Sequence, residues 1–271
     1  VNIALAEFQR RFPSTSCTVA GATWVFRDTD QDADRIPLVM LPGAGATGDV
    51  LFRAIEGLRD TRRIVSVSYP ALDDADLLAT GLLAALSEAG IERFDLFGSS
   101  LGGYLAQACA LQAPERVRRC MFANTFYDAA WLRNKMSRDA LRKTPADTHL
   151  ANSIKQLQSA PEDTPEKADF KKTMLALVGP AQTAEMAKAV LLAVLGTKVL
   201  PKVSKPAETI AVLDADDDPV VDGPTRAAMR ERYADSRQFR FATGGHYPAL
   251  LNPAEFIAAL QQHFGDQADA E

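Results

Sequence analysis

Ser100 stands in Gly98-Ser99-Ser100-Leu101-Gly102, a serine with glycine two positions away on either side. A serine raised on a sharp strand-to-helix turn has strained backbone angles. Its neighbours crowd the adjoining strand and helix, so only very small residues fit there. The pattern alone recurs by chance. Its weight comes from the expected strand before it, Phe94 to Phe97, and the expected helix after it, Leu101 to Gln112. In that setting Ser100 is a candidate nucleophile, and the N–H of Leu101 at the helix start can point at a developing oxyanion. A second oxyanion donor is expected from Leu41-Pro42-Gly43-Ala44-Gly45-Ala46-Thr47-Gly48, whose small residues allow close backbone approach; Ala44 is the residue chosen. This loop lacks the Gly-Lys-Ser/Thr ending of a phosphate cradle, and Gly43-Ala44-Gly45 is too short for a dinucleotide fingerprint.

A serine hydroxyl is a poor nucleophile near neutral pH and needs a base, most often histidine. The chain has three histidines, so elimination is possible. His149 falls in a helical stretch, and His263 falls in the last helix as a surface or core-edge residue. His246 lies in Thr243-Gly244-Gly245-His246-Tyr247-Pro248, an irregular loop after an expected strand. Loops at strand ends carry catalytic groups in open α/β sheets, so His246 is the candidate base. The third member should be a carboxylate between Ser100 and His246 in the chain. The run Asp214-Ala215-Asp216-Asp217-Asp218-Pro219 begins where another strand ends. Counting from the strand end selects Asp217. Counting back from Pro219-Val220-Val221 selects Asp218. Asp217 is the first choice and Asp218 the alternative.

Elements must exist to hold these groups. Cys17 to Ala20 and Thr23 to Arg27 read as an antiparallel hairpin turning at Ala20-Gly21-Ala22. Short apolar runs predict strands at Ile36 to Leu41, Ile64 to Tyr69, Phe94 to Phe97, Val117 to Ala123, Thr209 to Leu213 and Gln238 to Ala242. Leu77, Leu78, Leu82, Leu83 and Leu86 recur at helical spacing, with Asp74 or Asp76 as cap and Gly90 as stop. Further helices are expected at about Pro224 to Tyr233 and Pro253 to Phe264, and the tail after Gly265 reads as frayed. The alternation predicts an α/β fold with a mostly parallel sheet covered on both faces. It breaks from about Tyr127 to Lys205, where helical patterns are separated by Pro145, Pro161, Pro165 and Pro180. The expected organisation is therefore a core of residues 1–126 and 206–271 interrupted by a helical cap at 127–205. Met186, Val190, Leu191, Val194 and Leu195 make an apolar face on one cap helix. That face could line an acyl pocket, pack on the sheet, or meet a second copy or a protein partner; Trp131, Leu132 and Met136 are open in the same way.

Composition narrows the class further. The 271 residues, 47% of them hydrophobic, can fill a sizeable core. A formal charge of -5 with no run of Lys or Arg gives no track for nucleic acid. Cys17, Cys109 and Cys120 are odd in number and form no Cys-x-x-Cys pair, which argues for thiols in a reducing compartment over zinc or disulfides. No stretch approaches the roughly 20 apolar residues of a membrane span, and the first residues have no signal-peptide pattern. A cytoplasmic protein without cofactor or metal is expected.

Strand, small-residue loop, nucleophile turn, acidic loop and Gly-His loop follow one another in the order of the α/β-hydrolase superfamily. The chain resembles its maspardin branch in Leu41-Pro42 with Gly48-Asp49-Val50-Leu51-Phe52-Arg53, in Ser68-Tyr69-Pro70, and in Leu96 to Gln107 through the Ser100 turn. Asn124-Thr125-Phe126 and the loop around His246 carry it too. The resemblance spans about two-thirds of the chain and is loose in the insertion. Matched without gaps, it implies the family's aspartate at Asp217. Animal maspardins lack histidine at the place of His246 and are regarded as binding proteins, whereas this sequence has it. The expected chemistry is ester or thioester hydrolysis of a small acyl substrate through an acyl-enzyme. A lactonase, peptidase, carbon–carbon bond hydrolase or biosynthetic thioesterase would keep the same serine, and a catalytically silent partner-binding protein is the rival from another class. A haloalkane dehalogenase needs an acidic nucleophile where Ser100 stands.

Overall fold

Alternation of side chains between two buried faces organises this chain. The computed structural model describes residues 4–30, 35–178 and 182–265. Its strands are β1 (Thr15–Val19), β2 (Ala22–Asp28), β3 (Leu38–Leu41), β4 (Ile64–Ser68), β5 (Phe94–Ser99), β6 (Val117–Ala123), β7 (Ile210–Ala215) and β8 (Arg237–Phe241). They form one sheet in the order β1-β2-β4-β3-β5-β6-β7-β8, antiparallel only from β1 to β2 and from β2 to β4. Val39, Leu41, Leu96, Phe122 and Val212 point to one core. Leu38, Met40, Phe97, Met121 and Leu213 point to the other. This period-2 division requires helices on both sides.

The helices in chain order are α1 (Leu5–Arg11), α2 (Phe52–Leu58), α3 (Ala75–Glu88), α4 (Leu101–Gln112), α5 (Ala130–Arg133), α6 (Arg138–Lys143) and α7 (Ala146–Ser159). Then come α8 (Pro165–Val178), α9 (Ala184–Leu195), α10 (Gly223–Arg232), α11 (Pro248–Leu251) and α12 (Pro253–Phe264). Leu78 and Leu82 of α3 and Tyr104 and Leu105 of α4 fill the first core. Phe8 of α1, Phe52 and Ile55 of α2, and Phe256 and Leu260 of α12 fill the second. Asp74 caps α3 by accepting from the N–H groups of Asp76 and Leu77, and Gly90 follows its end at φ 74°. The Ala20-Gly21 hairpin turn has both residues at positive φ, as a two-residue hairpin with native twist requires.

All the expected strands are present, with no end shifted by more than two residues. Strand β3 starts later than expected because Pro37 has no N–H to give a ladder. α1, α2 and α11 are additional to the sequence reading; each is a short helix of seven residues or fewer. The segment between β6 and β7 contains helices α5 to α9 and no strand among its described residues. The break expected at Pro180 and the tail after Gly265 lie outside the described residues. All three cysteines are free, Cys109 and Cys120 buried and Cys17 half-buried. No helix among the described residues is long and apolar enough to cross a membrane.

Candidate active site

The parallel register brings the C-terminal ends of β3, β5, β6, β7 and β8 to one edge. Leu41 pairs with Gly98, Ser99 with Ala123, and Ala215 with Phe241. Ligands bind at this edge in open α/β sheets. Ser100 sits between β5 and α4 with φ 54° and ψ -118°, a conformation that L side chains rarely adopt. Its N–H donates to the Ala123 carbonyl at 2.9 Å, and its carbonyl accepts from the N–H of Gly103, the N–H of Tyr104 and the Thr125 hydroxyl. The strained turn is thus fixed from four directions.

The two flanking glycines are required by close approach. A Cβ on Gly98 would lie 2.0 Å from the Gly102 carbonyl oxygen, and one on Gly102 would lie 2.4 Å from the Leu41 oxygen. Both obstacles are backbone and cannot swing aside. The loop after β3 runs directly against the serine: a Cβ on Gly43 would come within 3.1 Å of Ser100 Cβ. The Tyr69 hydroxyl holds this loop by donating to the Pro42 carbonyl at 2.8 Å. The Ala44 carbonyl accepts from Gln182 at 3.3 Å. The Leu101 amide opens α4, where N–H groups have no acceptor within the helix.

His246 is buried and lies 5.3 Å, ring to ring, from Tyr247 in an edge-on contact. Its Nδ1 meets the Asp218 carboxylate at 2.9 Å to Oδ2 and 3.1 Å to Oδ1. An ionised carboxylate only accepts, so Nδ1 donates and the Nε2 lone pair is left for chemistry. The expectation that Asp217 orients His246 is therefore corrected. Asp217 is exposed, and its carboxylate accepts from the N–H of Gly245 at 2.7 Å and of Gly244 at 3.3 Å, which shapes the histidine loop without touching the ring. Asp218 turns inward because its Oδ1 also accepts from the N–H of Val220 at 2.7 Å and of Val221 at 3.2 Å. Pro219, whose ring fixes φ, favours the Asx-type turn that forms there. Counting back from Pro219-Val220-Val221 picks this residue; counting from the strand end misses the turn.

Other buried carboxylates are engaged elsewhere. Asp49 is held by Arg27 and Gln9, Asp95 by Arg62 and Arg118, and Asp214 by Arg230. His263 is buried at the core edge and its Nε2 meets the Cys120 carbonyl at 3.1 Å, with its pKa pushed down to about 4, mainly by burial. Among the described residues, no hydrogen bond joins Ser100 Oγ to His246. Such bonds are often long in free enzymes and tighten on substrate binding.

Three residues join the site that the sequence reading did not place in it. Asn124, fully buried and at φ 42°, donates from Nδ2 to the Gly245 carbonyl at 2.9 Å and accepts at Oδ1 from the Ala215 N–H at 3.1 Å. Its own N–H donates to the Leu213 carbonyl. One side chain therefore ties the acidic loop to the histidine loop. Its place directly after β6 at the same sheet edge was the available signal. Tyr247 approaches the loop after β3 so closely that a Cβ on Gly45 would lie 2.5 Å from its hydroxyl oxygen. Burial, helped by the Asp218 charge, pushes its pKa up to about 12, so it stays protonated. His149 lines a cavity of about 450 Å³ that His246 also lines.

A model of the alpha/beta hydrolase family matches residues 38–259. The chain belongs to that family. It is also similar to human maspardin, with 26% identity over 243 residues covering 89% of this chain and 78% of the relative. In fold it is similar to a hydrolase from Pseudomonas aeruginosa (TM-score 0.74, 19% identity, 94% of this chain and 99% of that one). The enol-lactonase from Burkholderia xenovorans is another neighbour (TM-score 0.75, 13% identity, 93% and 100%). The Ser100 turn, the acidic loop and the histidine loop, which meet at one sheet edge, all fall within the matched residues.

Proposed function

We propose that the chain is a serine hydrolase that cleaves an ester or thioester through an acyl-enzyme. The observation that carries the reading is the buried Asp218–His246 pair at the sheet edge that also presents Ser100 on its strained turn. Ser100 Oγ attacks the substrate carbonyl as His246 Nε2 takes its proton. Asp218 holds the imidazole and stabilises its protonated form. The amides of Leu101 and Ala44 receive the negative charge on the tetrahedral oxygen. The leaving alcohol or thiol departs with the proton from His246. Water, deprotonated by the same ring, then attacks the acyl carbonyl, and His246 returns the proton to Ser100 Oγ as the acyl–serine bond breaks and the acid leaves. Residues 127–205 act as a cap over a core of 1–126 and 206–271, and no step needs a cofactor.

A fluorophosphonate probe tests the assignment. Labelling should map to Ser100, and hydrolysis of an activated acetate ester should fall by at least about ten-thousand-fold in Ser100→Ala and in His246→Ala. Folded protein that resists labelling would favour a partner-binding role without catalysis. Full activity in Ser100→Ala would sink the nucleophile assignment.

A further inference from the structure

Beside His246, a cavity of about 450 Å³ opens between the sheet edge and helices α7, α8 and α9. Pockets for small organic ligands occupy roughly 300–1,000 Å³. Among the described residues that line it, none is Asp, Glu, Lys or Arg. On α7, the polar residues His149, Ser153 and Gln156 recur at helical spacing and so share one face. Phe170 and Met174 of α8 supply an apolar wall. The cavity therefore has a polar stripe and a greasy side, without a charge on either.

The state of His149 sharpens this picture. Desolvation, then the nearby Lys188 charge, lowers its pKa, so the ring is neutral at pH 7 with one N–H donor and one acceptor nitrogen. Lys188 is engaged with the carbonyls of Arg142 and Thr144 and does not line the cavity. Among the described residues the His149 ring has no hydrogen-bond partner. The Ser153 hydroxyl donates to the His149 carbonyl and keeps its oxygen free to accept.

We infer that this cavity is an acyl pocket for uncharged, medium-length acyl groups that carry a hydroxyl or similar neutral hydrogen-bonding group, and that His149 determines the preference. The assignment of the group as acyl rests on the serine hydrolase reading; the charge and polarity preference rests on the lining alone. A carboxylate entering here would lose its water with no cation to meet it. A plain alkyl chain would cover the Phe170 wall but leave the His149 N–H facing carbon.

The test has a kinetic and a binding arm. In the first, wild-type protein is given p-nitrophenyl octanoate, a set of p-nitrophenyl hydroxyoctanoates differing in hydroxyl position, and mono-p-nitrophenyl suberate. The suberate should have a kcat/KM about a hundred-fold below the octanoate, the scale of an unpaired charge losing its water. Replacing His149 by phenylalanine should lower the ratio of kcat/KM for the best hydroxyoctanoate to that for octanoate by about ten-fold. In the second arm, the methyl esters of octanoate and hydroxyoctanoate and the monomethyl ester of suberate are titrated calorimetrically into Ser100→Ala, and the same order of affinity is expected. Suberate accepted as well as octanoate, or a ratio unmoved in H149F, overturns the inference. The suberate comparison needs no variant at position 149. Discrimination in binding without hydrolysis by the wild type would uphold the pocket and remove the hydrolase reading. Hydrolysis of all the esters without discrimination would do the reverse.

Discussion

The loops at the sheet edge and the helices between β6 and β7 are built to different standards. At the edge, Ser100 is held by three donors and one acceptor, and Asn124 cross-links the acidic and histidine loops through both ends of its amide. Steric contacts of 2.0–2.4 Å from virtual Cβ atoms leave Gly98 and Gly102 no substitute. In the helical segment α9 is rooted through Val190, Ala193 and Val194 in the first core, and α8 through Met174, Leu177 and Val178 in the second. α7 has no fully buried residue; it rests on the protein through half-buried Leu150, Ile154 and Leu157. The division suits a hydrolase. Groups that must meet within tenths of an ångström sit on crossed and bonded loops, while groups that choose the substrate sit on an element that can be repacked at little cost.

Two neighbouring aspartates offer the severest test of this division. Asp218→Asn should cut kcat on an activated ester by about ten-thousand-fold, because the amide no longer holds the reactive tautomer of His246. Asp217→Asn should cost only about ten-fold, since it weakens two hydrogen bonds to Gly244 and Gly245 and leaves the ring's partner in place. Steady-state kinetics of the two variants check this. A larger loss at Asp217 would reverse the assignment and with it the view that the exposed carboxylate only shapes the loop.

Asn124→Ala comes next. It removes the link between β7's end and the histidine loop, leaving the Ala215 N–H and the Gly245 carbonyl buried without it, and it puts alanine at φ 42°. A loss of about 2 kcal/mol in stability is expected in urea unfolding, with kcat falling about a hundred-fold and KM little changed, as a misaligned base requires. Asn124→Gly relieves the backbone strain alone and should recover part of the stability but none of the kcat. Recovery of both would reduce Asn124 to a conformational role.

The edge was largely legible in the sequence because it is written in local patterns. Glycines at fixed distances from Ser100, apolar runs and a histidine between glycine and proline all report on residues within a few positions of one another. Asp218 was harder to select because an Asx turn, favoured by the fixed φ of Pro219, outweighs distance from the strand end. Asn124 was harder still, since its partners lie 91 and 121 residues away. In the helical segment the sequence showed apolar faces and could not say what they meet. His149 was visible only as a histidine in a helix; the packing of α7 over α8 and α9 makes it a cavity residue.

A histidine against the sheet core and one in the helical segment extend the contrast to pH. His263 is buried beside β6 with a folded-state pKa of about 4 against an ordinary 6.5. The unfolded chain binds more protons between those values, so stability from this group is fully present above about pH 6.5 and is lost as pH falls toward 4, up to about 3 kcal/mol in all. His263→Gln should flatten that loss in urea titrations across the range. His149→Gln should change the slope less, because its ring is only half-buried and its shift has the same direction at smaller burial. An equal flattening would mean that α7 is packed as tightly as the sheet core.

Packing alone separates the helical segment from the sheet core. Leu260→Ala in α12 empties a fully enclosed position and should cost about 3 kcal/mol. Leu157→Ala in α7 trims a half-buried side chain that faces the cavity, and should cost about 1 kcal/mol or less. Its larger consequence should appear in binding: the trimmed wall gives an octanoyl chain less surface to cover, so KM for p-nitrophenyl octanoate should rise several-fold, about 1 kcal/mol, while kcat holds. A matching loss of stability at the two leucines would show that the helical segment shares the rigidity of the core. A fall in kcat at Leu157 would show that α7 helps align the reacting groups and is more than a wall of the pocket.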